Sequence, residues 1–123
     1  MSVQEKPPRK SGIAHFFAAA GYSIGGLKRL SRESAFRQEV VLIVGLLVLF
    51  LIFGASFPEV LGLLAIGLAL IAVEALNTAI EVLVDHLSPG WSQFAKDAKD
   101  LGSLAVACTI GGLLLYSAIA LIW

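Results

Sequence analysis

Three stretches of this chain lack charge for long enough to approach or match the thickness of a bilayer, and they restrict its fold more than any other feature. Residues 40–57 are uncharged over 18 positions and residues 101–123 over 23, while the apolar run 60–73 continues into Glu74 with no break signal. A helix rises ~1.5 Å per residue, so about 20 apolar residues match a hydrocarbon core of ~30 Å. Counted down to His86, the second run makes a helix of ~40 Å whose far end leaves the hydrocarbon. At 58% hydrophobic over 123 residues, a water-soluble globule would lack polar cover. No stretch alternates in the manner of a strand, and no internal repeat is visible. The expectation is an all-α membrane protein with one domain.

Around these runs the chain divides as follows. Residues 1–12, with Lys6, Pro7, Pro8, Arg9 and Lys10, read as a flexible basic leader. Residues 13–123 form the membrane domain. Ile13, Phe16, Phe17, Ala20, Ile24 and Leu27 recur at helical spacing, which predicts an N-terminal amphipathic surface helix over 13–32. A secretory signal is the rival reading, but the apolar patch is short and more basic residues follow it. Transmembrane helices are predicted over about 36–57, about 60–86 and about 99–123, with a reversal at Pro58-Glu59 and a loop over 87–96. All nine Lys and Arg residues precede Val40 or fall between the second and third spans. The positive-inside rule therefore places the N-terminus and second loop in the cytoplasm and the C-terminus outside, in a multi-pass arrangement. Trp91 and Trp123 suit interfacial anchors. Cys108 suits packing, and His15 and His86 have no partner at zinc spacing. Neither the balanced charge nor any motif points to nucleic acid.

The second span carries the chemistry. At about 100° per residue, Glu74, Asn77, Thr78, Glu81 and Asp85 fall within roughly 100° of one another, opposite a row of Gly62, Ala65, Ala69, Ala72 and Ala79 that suits close helix contact. A carboxylate deep in a membrane costs at least ~2.5 kcal/mol on insertion scales, so Glu74 needs a partner or a purpose. Glu81, two turns shallower, is joined at similar depth by Glu33, Lys99 and Asp100 from neighbouring segments. Oxygen-only ligands of this kind suit Mg²⁺, which retains waters and binds substrate phosphates. The deep carboxylate suits a general base for an alcohol, and the shallow ones suit a metal–polyphosphate complex arriving from the cytoplasm, with Lys99 beside the phosphates. That combination can move a phosphate onto a lipid hydroxyl by alignment and charge stabilisation. Neither a Walker loop nor a protein-kinase signature is present. Gly21-Tyr-Ser-Ile-Gly-Gly26 follows no strand and reads as part of the surface helix.

Glu-Ala-Leu-Asn-Thr-Ala-Ile-Glu over 74–81 with Asp85, followed by Ala-Lys-Asp-Leu-Gly-Ser over 98–103, resembles the prokaryotic diacylglycerol kinase family, which includes undecaprenol kinases. Ala-Phe-Arg-Gln-Glu over 35–39 and Ala-Ala-Gly-Tyr-Ser over 19–23 resemble its N-terminal half. The resemblance implies a homotrimer with three spans per chain and composite sites between subunits. It implies Glu74 as catalytic base supported by Asn77, and Glu33 and Glu81 as carboxylates for Mg²⁺–ATP. Tyr22, Lys99 and Asp100 would contact nucleotide, and Glu39 and Ser103, with Glu74, would meet the lipid. The Leu-Gly-Ser ending favours diacylglycerol as acceptor, with undecaprenol as the alternative. A reading of another class makes the chain a proton- or ion-translocating subunit with Glu74 as carrier. It leaves the extra charges at one membrane face without a role.

Overall fold

The computed structural model describes residues 3–123 and contains four helices: α1 (Gly12–Leu30), α2 (Ser34–Ile52), α3 (Phe57–Leu87) and α4 (Gln93–Ile122). Of the leader expected over 1–12, residues 1 and 2 lie outside the described residues, and 3–11 run exposed into α1 without regular structure. α2, α3 and α4 are each long and apolar enough to cross a membrane.

The connection between α2 and α3 corrects the expected reversal at Pro58-Glu59. Gly54, at φ +70°, ends α2 in the left-handed conformation open to a residue without a Cβ. The Ala55 N–H donates to the Phe50 carbonyl at 2.9 Å and the Gly54 N–H to the Leu51 carbonyl at 3.3 Å, the two bonds of a Schellman motif. Ser56 then caps α3. Its hydroxyl accepts from the Glu59 N–H at 3.3 Å, and its own N–H donates to the Glu59 carboxylate at 2.8 Å. Pro58 stands in the first turn, where a missing N–H leaves no bond unmade. The turn is therefore residues 53–56, and Pro58 and Glu59 already belong to the helix.

α4 also begins earlier than the uncharged run. Ser92 caps it by accepting from the Ala95 N–H at 3.3 Å, while Gln93–Asp97 at 2.8 Å and Lys96–Asp100 at 2.5 Å support its first turns at i,i+4 spacing. The loop between α3 and α4 thus shrinks from the expected 87–96 to 88–92.

α3 is the central helix, packed on α2 and α4 and touched by α1. Phe50, Leu63, Leu70 and Leu113 are fully buried, and the Phe50 and Tyr116 rings stack at 6.3 Å between centroids. The Tyr116 hydroxyl donates to the Glu59 carbonyl at 2.8 Å and fills the space beside Gly62. Most large apolar side chains, among them Val41, Val44, Leu68, Leu76, Leu104 and Leu115, stay exposed, as lipid-facing side chains or an interface with another copy would be.

The helix faces differ from expectation in one respect. Leu63, Gly67 and Leu70 lie on the same side of α3 as Glu74 and Asn77, so the carboxylate side is the packed side. Ala65, Ala69, Ala72 and Ala79 are exposed, Ala72 and Ala79 lining a hollow shared with α1, while Gly62 packs against Tyr116 of α4. Cys108 is likewise exposed rather than packed. Along α1, Ile13, Phe16, Phe17, Ile24 and Leu27 remain exposed and Leu30 alone is buried.

Candidate active site

α3 places Glu74, Asn77 and Glu81 along one wall of an open cleft of about 530 Å³. α2 and the residue before it contribute Glu33, Ser34, Gln38 and Glu39, and α4 contributes Ser103, Val106 and Ile110. The cleft is graded. Glu74 and Glu39 are 3% and 5% exposed, while Glu33 and Glu81 are only partly covered. Seven residues of helix separate Glu74 from Glu81, or ~10 Å.

Hydrogen bonds within α3 hold both ends of this wall. The Thr78 hydroxyl donates to Glu74 at 3.5 Å, and the Asn77 amide donates to Glu81 at 3.4 Å. The Glu39 carboxyl on α2 faces Glu74. Two buried carboxylates this close repel unless a proton or a cation lies between them. Among the described residues, two buried side-chain oxygens, Glu39 Oε2 and Asn77 Oδ1, have no hydrogen-bond partner. A buried acceptor left open costs ~1–3 kcal/mol unless something occupies it. At the mouth, Glu33 receives a hydrogen bond from Arg29 at 2.6 Å, which ties the end of α1 to the start of α2.

The donor set suits a hard divalent cation. Among the described residues no three His, Cys, Asp or Glu side chains converge as a ready-made metal cage. Mg²⁺ characteristically uses one or two carboxylates and takes its remaining ligands from water and substrate phosphates. Glu33 and Glu81, partly exposed on one cleft, fit that requirement.

Other predicted site residues stand apart from the cleft in a single chain. Lys99 pairs with Asp85 at 2.6 Å and Lys96 with Asp100 at 2.5 Å, beside a separate hollow at the α3–α4 corner lined by Ser88, Trp91 and Ser92. Tyr22 lies exposed on α1, near His15 and the basic leader. Glu33, Glu39, Glu74, Asn77, Glu81 and Ser103 are thus brought together, and Tyr22, Lys99 and Asp100 are not. The sequence reading missed the part played by Gly102. This residue is buried against Asn77, and a side chain there would overlap the Asn77 amide oxygen. Its only signal was a glycine next to Ser103, inside an otherwise helical segment.

The arrangement defines a small helical membrane protein with a graded carboxylate cleft opening at one end of its bundle. Residues 21–121 match the family model for prokaryotic diacylglycerol kinase. A diacylglycerol kinase from a Sinorhizobium species is 44% identical over 115 residues, covering 94% of this chain and 84% of the relative. The diacylglycerol kinase of Pseudomonas aeruginosa is 38% identical over 82% of this chain and 85% of its own length. That of Escherichia coli K12 is 35% identical over 81% and 83%. The chain belongs to the prokaryotic diacylglycerol kinase family.

Proposed function

We propose that this chain transfers the γ-phosphate of ATP to a lipid alcohol at the cytoplasmic face of the bacterial inner membrane, with diacylglycerol as acceptor and phosphatidic acid and ADP as products. The observation that carries this reading is a buried Glu74 at the floor of a carboxylate-lined cleft, in a chain of this family. Lipid enters from the membrane and nucleotide from the water, and the two meet along the graded wall of α3.

Glu74 accepts the proton of the lipid hydroxyl while that oxygen bonds to the γ-phosphorus and the bond to ADP breaks. Its burial beside other carboxylates suits a base that must take a proton from an alcohol. Thr78 and Asn77 orient the two carboxylates of α3, and Glu39 and Ser103 bound the place of the lipid headgroup. Glu33 and Glu81 hold the metal–nucleotide complex. Mg²⁺, when bound, neutralises charge on the transferring phosphoryl group. Tyr22, Lys99 and Asp100 contact nucleotide. Their distance from the cleft within one chain supports a homotrimer in which one copy completes the site of another. α1 lies at the cytoplasmic interface with its exposed apolar residues toward lipid and its basic residues toward anionic headgroups.

The test is transfer of labelled γ-phosphate by purified protein to diacylglycerol and undecaprenol side by side, with and without Mg²⁺. Mg²⁺-dependent labelling of diacylglycerol is the expected result. Labelling of undecaprenol alone would reassign the acceptor. No transfer to either, with proton flux in reconstituted vesicles lacking ATP, would favour the ion-translocating reading.

A further inference from the structure

We propose that Gly102 is a positioning residue for the carboxylate site: its missing side chain lets α4 seat against the Asn77 amide and aims that amide at Glu81. The inference rests on the reading above in one respect, the role of Glu81 in holding Mg²⁺–ATP.

Gly102 sits inside α4, where glycine is disfavoured relative to alanine. Its backbone does not require glycine, because Gly102 is not among the described residues with positive φ, which are Gly12 and Gly54. The need is steric. A Cβ at Gly102 would overlap Asn77 Oδ1, with Asn77 Cγ at 3.3 Å and the Ile80 side chain at 3.8 Å. Asn77 is the neighbour that demands a bare backbone, since the contact with Ile80 is an ordinary one.

Asn77 in turn has little freedom. Its Oδ1 is buried against α4 without a hydrogen-bond partner, and its Nδ2 donates to Glu81 at 3.4 Å. The opposite amide orientation would set Oδ1 against the Glu81 carboxylate and leave two donors facing the glycine. An added methyl group must push the amide toward Glu81 or push α4 away. Either movement disturbs the metal–nucleotide side of the cleft first, because Asn77 contacts Glu81 directly and Glu74 is bonded instead by Thr78.

The test is a double-mutant cycle of Gly102→Ala and Asn77→Ala in the full chain, in lipid micelles, read in two ways. Thermal unfolding midpoints at one scan rate report the contact without substrate. Gly102→Ala should lower the midpoint in the native background and have no further effect in Asn77→Ala, where the clash is gone. Kinetics report the positioning. Gly102→Ala should raise the KM for Mg²⁺–ATP about fivefold, the value of one hydrogen bond, with the diacylglycerol KM changed less than about twofold. Equal midpoint losses in both backgrounds would overturn the proposal, as would an equal rise in both KM values. A native protein that transfers no phosphate would sink the kinase reading, and the unfolding cycle would then decide the role of Gly102 alone.

Discussion

Where Leu63 of α3 packs with Phe50 of α2 and Leu113 of α4, the three helices close on one another with fully buried side chains; one turn beyond Leu70, the same face of α3 meets Glu39 and Ser103 across an open cleft. The same three helices build both regions. In the first, large apolar side chains interlock, and Tyr116 ties α4 to the first turn of α3. In the second, contact is made through Gly102 and Asn77, and two buried polar oxygens are left without partners. The closed region holds the helices in register, and the open region draws on that register to keep carboxylates from separate helices on one cleft. Stability and chemistry should therefore respond to different substitutions.

The largest effect is expected at the floor of the cleft. Glu74→Gln keeps the shape and removes the proton acceptor, so phosphate transfer should fall about 10²–10⁴-fold while Mg²⁺–ATP binding and the unfolding midpoint stay near native. Equal loss of binding would break the division between the deep and shallow ends. In the closed region, Phe50→Ala should cost about 3–5 kcal/mol of stability, read by unfolding in mild detergent, with the KM for Mg²⁺–ATP unchanged below the transition. Glu81→Gln should raise the KM for Mg²⁺–ATP about tenfold and leave the diacylglycerol KM near native, since one carboxylate hydrogen bond or ligand is worth about 1.5–3 kcal/mol. The smallest change is expected from Tyr116→Phe, which removes one hydrogen bond and should lower stability by about 1 kcal/mol with no effect on turnover.

The closed region was the less legible of the two where its turn is concerned. Proline marked a break in the sequence reading, yet the informative residues were Gly54 and the Ser56-Phe-Pro-Glu59 box, whose polar side chains satisfy the backbone at the start of α3. The beginning of α4 was hidden for a related reason. Its first turns carry Lys96, Asp97, Lys99 and Asp100, so hydropathy located the uncharged run and passed over the cap at Ser92. The carboxylate stripe was readable because helical periodicity sets which side chains share a face. Periodicity does not say which face meets another helix. The alanine row suited close packing, but Leu63 and Leu70 share the Glu74 side and direct that side inward. The approach of Glu39 to Glu74, and of Gly102 to Asn77, joins residues far apart in the chain, and no local pattern announces either.

The bonds that close residues 53–56 all lie within the turn and its flanking helix ends. A loop this short costs little entropy to close, so α2 and α3 can pair as a helical hairpin while α4 is still being synthesised. Phe50 and Leu63 flank that turn, so part of the closed region can assemble at that stage. The cleft cannot, because Ser103, Val106 and the Gly102 backbone that confines Asn77 arrive only with α4. The hairpin can therefore form before the reaction site does, and until α4 joins, Glu74 lacks part of the wall that encloses it in the finished fold.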